Sequence, residues 1–578
     1  MRSTCALLLA MIVPSIAHAQ IDLQNRISNP VQFTGEIGSF GELYSASGRE
    51  QRRPSSTGRM YVRSRLELFN TVTVNFDLLY STETGSGVTM GSTGRQSLNQ
   101  VGIAPEWSWG RAFAGSFHDS YSPFTYDGVG LRGGGFNINP GLLRLGIFTG
   151  RAQSARAGGA TDGAYQRRMT GGKIGFGRRA QDGEAGFIDV VFVRTADDPS
   201  SLPAPTTSGS EDPGIQIGNP YAVTPEENVV IGAVTRVPLL QQRVVLSGEV
   251  AASIYSRDRR APVLSDEALD EYSSLMRSFI TPRASTYGDL AHNGQIELRN
   301  LALPGSTGQA PRILSAAVGY RYVGAGYVSL GVASLPADQF ALNARASLRL
   351  RRLTASLQGM QQEDNLLGQK LSTTTRHRLA LTTSFRATRA LSSAVRFALN
   401  TMSNDIADAE RQVDFASYTV GFTQSINLAR GKLLRAIALS YGYQQAGDDN
   451  PLKADSRLRA HDASVRTTLD FSRSFSLIPS VGLALSEVGA ADADLRHTYS
   501  LAAQHRPQGS RFSSSLSLSN SRLHAGGSIQ AALSSRYRLT DADMVTLSLR
   551  SNRVSGLETA TGEFQEHTVS LQWARSIR

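Results

Sequence analysis

The chain is nearly devoid of cysteine and lysine, and it carries no long apolar run. Its one cysteine, Cys5, lies upstream of a predicted cleavage site, so the expected mature protein has no disulfide, no thiol nucleophile and no thiolate metal site. Lys173, Lys370, Lys432 and Lys453 are the only lysines, yet Lys and Arg together number 59 and the formal net charge is +11. The positive charge is therefore almost all guanidinium. No stretch approaches the roughly eighteen apolar residues that a membrane helix needs. Catalytic signals are missing too. The histidines show no H-E-x-x-H spacing, and there is no G-x-S-x-G elbow. His497 and His505 can share a strand only at its opposite ends. The acid clusters 405–410 and Asp448-Asp449 sit in polar, loop-like segments, where solvation or contact with a divalent cation or lipopolysaccharide is the expectation. No catalytic residue, metal or cofactor is predicted, and the chain is read as a non-enzyme.

What is present is a rhythm. Val72, Val74, Phe76 and Leu78 fall on one face of an extended segment, with Thr71, Thr73, Asn75 and Asp77 on the other. Val545, Leu547 and Leu549 alternate in the same way with Thr546, Ser548 and Arg550, and Val569, Leu571 and Trp573 with Thr568, Ser570 and Gln572. Period two puts one face against something apolar and the other against water. Such alternation lets a membrane-spanning sheet keep a soluble-looking mean hydropathy of −0.21. The connections also sort by length. Short turns fall near Asn70, Gly110, Pro140-Gly141, Asp182-Gly183, 239–241, 351–352, 388–389, 430–431, 472–473, 508–509 and 540–541. Longer polar segments alternate with them, at 45–58, 81–95, 151–165, 195–226, 256–288, 323–338, 361–374, 444–456 and 553–562. The expectation is a single large antiparallel up-and-down transmembrane β-barrel of about 26 strands (22–26), with short periplasmic turns and long extracellular loops. The register wavers only around 300–311, where the turn is longer than its neighbours.

Arg2, the apolar stretch 7–14 and Ala17-His18-Ala19 form a secretory signal peptide over 1–19, cleaved before Gln20. Residues 20–29 are a short periplasmic segment, and the barrel runs over 30–578. The chain is thus predicted in the outer membrane, with both barrel termini in the periplasm. Strand signals begin by Val31, which leaves no room for an N-terminal plug domain. So wide a lumen still has to be narrowed, by loops, by long side chains or by a partner. Two loops are candidates. In 256–288 a helix should start at Ser265, with Leu269, Tyr272, Met276 and Phe279 as its apolar stripe, packed in the barrel mouth or on neighbouring loops. The Pro/Ser/Gly-rich segment 195–226 reads as a surface loop.

Arg63, Arg65, Arg144, Arg378 and Arg550 take the polar side of the alternation, where fixed guanidinium groups would favour anions. Compositional bias with neighbouring acids is the alternative. Other arginines at strand ends suit lipid phosphates. Trp107, Trp109, Tyr441, Tyr443, Phe512 and Trp573 fall near inferred strand ends or turns, as an aromatic girdle would. Expected partners are outer-membrane lipid and lipopolysaccharide, the barrel-assembly machinery, and a periplasmic or surface protein. Nucleic acid is not expected.

The segment Ser122-Pro123-Phe124-Thr125-Tyr126-Asp127-Gly128, followed by Gly133-Gly134-Gly135-Phe136, Pro140-Gly141 and Arg144-x-Gly146, reads as a loop entering a strand under crowding. With 146–151, 165–177, 249–257, Tyr320-Arg321-Tyr322, 326–331 and 361–370, it resembles a family of large, mostly uncharacterised outer-membrane barrel proteins of Gram-negative bacteria, over about residues 30–400. The resemblance implies barrel and location, and it brings no activity or catalytic residue. Two functions follow. One is a loop-narrowed channel for small polar, anionic solutes. The other is a non-enzymatic scaffold or conduit working with a partner in secretion or envelope assembly.

Overall fold

The computed structural model describes residues 30–82, 99–156, 163–178, 186–202, 223–265, 279–305, 312–428, 433–489, 493–523, 526–556 and 563–577. These form 26 strands. The first thirteen are β1 Val31–Ser47, β2 Ser56–Leu68, β3 Val72–Ser81, β4 Gln100–Trp107, β5 Gly110–His118, β6 Gly130–Ile138, β7 Leu143–Gln153, β8 Gln166–Gly177, β9 Phe187–Asp198, β10 Glu227–Leu239, β11 Val244–Ser256, β12 Thr286–Ala302 and β13 Ile313–Val323. The others are β14 Gln339–Arg349, β15 Leu353–Asp364, β16 Thr374–Arg386, β17 Leu391–Asn404, β18 Asp414–Asn427, β19 Leu434–Asp448, β20 Leu458–Asp470, β21 Phe475–Val488, β22 Asp494–His505, β23 Phe512–Leu523, β24 Gly526–Arg538, β25 Asp543–Ser555 and β26 Phe564–Ile577. Each pairs antiparallel with its sequence neighbour, and β26 pairs with β1 from Gly35↔Ile577 to Ser47↔Gln565. The sheet is therefore closed and has no edge, the condition for strands to cross a membrane. No helix of the described residues is long and apolar enough to do so.

The pleat assigns the two faces. Leu143 and Ile147 on β7, Ile174 and Phe176 on β8, Ile188 and Val190 on β9, and Leu547 and Leu549 on β25 are exposed and apolar. Among the alternate residues on β7 to β9, Phe148, Met169, Val191 and Val193 are fully buried beneath inward-folded chain. The first set is the lipid face and the second is the lumen face. Following register from strand to strand carries the distinction around the ring.

Connections after even-numbered strands run to six residues or fewer, except 178–186 and 303–312. The turn at 69–71 places Phe69 and Asn70 at φ 52° and 50°, and 240–243 has three residues at positive φ. The strand before 303–312 is irregular. Between Leu298 and Leu301 the β12–β13 register shifts by a bulge, with Asn300 at φ 50°. The bulge lengthens β12 to Ala302 and explains why alternation blurs there. The predicted turns at 182–183 and 430–431, the signal peptide and Gln20 lie outside the described residues.

Candidate functional site in the barrel lumen

The lumen is narrowed by two connections other than the two loops expected to do so; one falls in the long segment 323–338, and the other was not among the long segments. Residues 119–129, between β5 and β6, fold into the barrel. There they meet 324–338, between β13 and β14. Asp119 starts the descent, accepting from Arg111 at 2.5 Å and from Asn137 at 2.6 Å. Tyr126 stacks on Phe148 at 4.4 Å, and Tyr121 meets both rings edge-on. Further round the wall, Phe124 sits with Tyr327 over Val230, Ala251, Ala291 and Val323. The Tyr327 hydroxyl donates to the Phe124 carbonyl at 2.9 Å, and Asp127 N–H to the Gly331 carbonyl at 2.9 Å. Burial pushes the phenols of Tyr121, Tyr126 and Tyr327 above their ordinary range, so they remain neutral; Tyr126 and Tyr327 donate to the carbonyls of Val129 and Phe124.

The wall beneath is built to receive this chain. Glu249, mid-strand on β11, accepts from Phe124 N–H at 3.2 Å and from the Ser122 hydroxyl. Asn228 accepts from Leu330 N–H and donates to the Val328 carbonyl, both at 3.0 Å, and the Ser253 hydroxyl donates to the same carbonyl. Asp289 accepts from Gly326 N–H at 2.9 Å. Glycine clears the approach. A Cβ on Gly232 would lie 2.9 Å from the Thr125 methyl, and one on Gly146 would lie 2.7 Å from the Tyr121 oxygen. These anchors were missed as individual residues. The available signal was small or short polar residues on the face of β6–β12 that should be wet and bulky.

A third connection, 48–55, lies at the same end of the barrel and folds against the wall at β22–β26. Arg49 pairs with Glu566 and stacks over Phe564 at 3.9 Å. Arg52, Arg53, Arg550, Ser500, Ser517, Ser519, Gln530 and Thr568 line a recess of about 550 Å³ there.

All five arginines of the sequence-derived set share the lumen face by register, but their surroundings divide them. Arg144 is 13% exposed and makes a fork to Asp189, Nε to Oδ1 at 2.6 Å and Nη2 to Oδ2 at 2.9 Å, with its plane over Phe187. Its charge is spent inside the wall. Arg63 faces Asp77 at 3.7 Å, and Arg65 faces Glu67 at 4.0 Å, all well hydrated. Arg378 and Arg550 are exposed to the lumen without an ion-pair partner among the described residues. Arg376, Arg396, Arg466, Arg496 and Arg536 share their face and their state.

Of the predicted constriction helix, Leu269, Tyr272 and Met276 lie outside the described residues. Phe279 does not face the lumen. Its ring lies 4.9 Å from Phe192, and Ile280 joins Val229 and Ile254 in a cluster on the outward side of β9–β11. Among the aromatics, Trp107 ends β4 and meets Trp109 in the following turn at 5.2 Å, Phe512 opens β23, and Trp573 faces outward near the end of β26. Tyr441 and Tyr443 differ from expectation. They face outward in the middle of β19, beside Tyr418 and His461. At their level Leu439 gives way to Gln445, so the strand continues beyond the apolar band and the girdle lies below its end.

A closed antiparallel barrel with an apolar outer band and a polar lumen defines the class: this is an outer-membrane β-barrel. No protein-family model matches the sequence, and no curated protein does. Solved structures of related architecture include the siderophore receptor PirA from Pseudomonas aeruginosa, with TM-score 0.34 and 9% identity over 95% of this chain and 80% of that one. The ferric enterobactin receptor PfeA gives TM-score 0.42 and 10% identity over 94% and 81%. The KdgM porin gives TM-score 0.17 and 9% identity over 36% of this chain and 97% of that one. Likenesses this distant carry no argument about function.

Proposed function

We propose that this barrel is a non-enzymatic channel that passes small polar solutes, prefers anions, and is narrowed by its own loops. The carrying observation is the lumen face from β14 to β26. It is uncovered over most of its height and presents hydroxyl side chains together with Arg376, Arg378, Arg396, Arg466, Arg496, Arg536 and Arg550. Acids on that face are fewer, and Glu566 is already committed to Arg49 and Tyr44. Unpaired guanidinium groups in a water-filled conduit attract anions and repel cations. Barrels of about 16–18 strands already hold an aqueous channel, and this one is wider.

Single-channel recording of the folded protein in a planar bilayer, under a salt gradient, tests the reading. A steady conductance with an anion-biased reversal potential is expected. R378Q/R396Q/R550Q should move that potential toward zero with little change in conductance. Silence from a demonstrably folded barrel would sink the open channel and favour a conduit completed by a periplasmic or surface protein.

A further inference from the structure

On the outward face of β6, β7 and β8, three arginines stand side by side. Arg132 is paired in register with Arg151, and Arg151 with Arg168. Their outward direction follows from their neighbours. Leu131, Ala152, Arg167 and Met169 all point into the packed lumen wall, so the residues between them point away. Each lies two residues inside the external end of its strand. None of the three forms an ion pair or side-chain hydrogen bond with a described residue. Of the acids nearby, exposed Asp198 accepts from Ser200 and also feels the charges of Arg259 and Arg168 without forming an ion pair, Glu227 is paired with Arg194 and Arg259, and Asp197 with Arg167.

Like charges directly opposite one another on a sheet destabilise it. Adjacent strands are about 4.8 Å apart, so three cations in a row need an anion. The level of the row says which kind. One pleat lower, the Thr149 and Thr170 hydroxyls bond each other at 2.9 Å. Below them come Phe136, Ile147, Ile174 and Phe176, which face hydrocarbon. The row therefore stands where the acyl chains end and the headgroups of the outer leaflet begin.

We propose that Arg132, Arg151 and Arg168 form a binding site for the phosphate groups of a phosphorylated glycolipid of the outer leaflet, whose acyl chains run down the apolar faces of β6–β8. Guanidinium forks suit phosphate oxygens in geometry as well as charge. The site is independent of solute passage through the lumen.

The test uses the full-length mature barrel in phosphatidylcholine vesicles, titrated with diphosphorylated lipid A, with its dephosphorylated form, and with inorganic phosphate. Lipid A should raise the thermal unfolding midpoint saturably. The dephosphorylated lipid and free phosphate should not. R132Q/R151Q/R168Q should bind lipid A about tenfold more weakly or worse, while still showing the heat-dependent gel mobility of a folded barrel. The lumen variant R378Q/R396Q/R550Q should respond as the wild type does. An equal response from R132Q/R151Q/R168Q, or from dephosphorylated lipid, overturns the proposal. A saturable response to free phosphate alone overturns the lipid assignment. If the triple variant fails to fold, the single variants R132Q and R168Q are titrated instead, and wild-type affinity in both overturns it.

Discussion

The two halves of this barrel wall share an outer face and differ on the inner one. From β6 to β13 the lumen face carries Phe148, Met169, Val191, Val230, Ala251 and Val323, buried beneath 119–129 and 324–338. From β14 to β26 the same pleat positions carry serine, threonine and arginine. The lipid face is apolar in both. The outward pattern thus reports only the membrane, whereas the inward pattern reports what each stretch of wall has in front of it. Apolar and glycine positions mark docked chain, and hydroxyls with guanidinium groups mark water. The arginines divide along the same line. On the covered side Arg144 and Arg167 are locked to Asp189 and Asp197, so they are structural. On the open side Arg345 is paired with Glu297, but Arg378, Arg396 and Arg550 have no ion-pair partner among the described residues.

Substitutions should separate the halves. The largest effect is expected from F124A/Y126A. Each ring removed from a buried site costs about 3–5 kcal/mol, enough to undock 119–129. Conductance should then rise while the barrel stays folded, and an unchanged conductance would mean that this segment does not narrow the path. Next comes Arg144→Gln, which leaves the Asp189 carboxylate buried and unpaired at a cost of about 3 kcal/mol. Thermal unfolding should show the loss, with ion selectivity close to wild type. R378Q/R396Q/R550Q should do the reverse and alter selectivity with little loss of stability. If both variants changed the same observable, the division of the wall would fail.

The smallest effect is a pH response at the external rim. Burial disfavours the Asp338 carboxylate, but Lys370 at 2.5 Å and the N–H groups of Leu366 and Asn365 outweigh it and hold its pKa below the ordinary value. A depressed carboxyl pKa contributes stability that is present above the unfolded value of about 3.9 and is lost as pH falls through the folded one. Protease nicking within 324–338 and 365–373 should therefore be flat through neutral pH and increase only in strong acid. The variant Asp338→Asn should be nicked at neutral pH.

Much of the barrel was legible because period two is a local property. The start at Val31, the strand total and the turn at Asn70 all came from neighbours along the chain. What stayed hidden depends on what lies across the lumen. Glu249 reads as one more polar strand residue until 119–129 arrives to cover it. Ser122–Gly128 showed crowding, through Pro123 and the glycines that follow, but not its destination. Phe279 belonged to an apolar stripe, and a stripe does not say which side of a wall it will choose. Tyr441 was placed at a strand end because sequence shows where a strand might turn, not how far it outruns the lipid.

The seam between β26 and β1 has a further consequence. Every other pairing joins strands adjacent in sequence, so each hairpin can form as soon as it is made and lean on the one before. The seam alone joins the two ends of the chain, and Tyr44 donates to Glu566 across it. By loop-closure entropy it is the pairing with the longest reach. It is also the one without which two rows of bare peptide groups would face hydrocarbon. Assembly is therefore stepwise until its last act and all-or-none at that act. A chain shortened by its final hairpin would not become a smaller barrel but an open sheet, held by whatever guided it into the membrane.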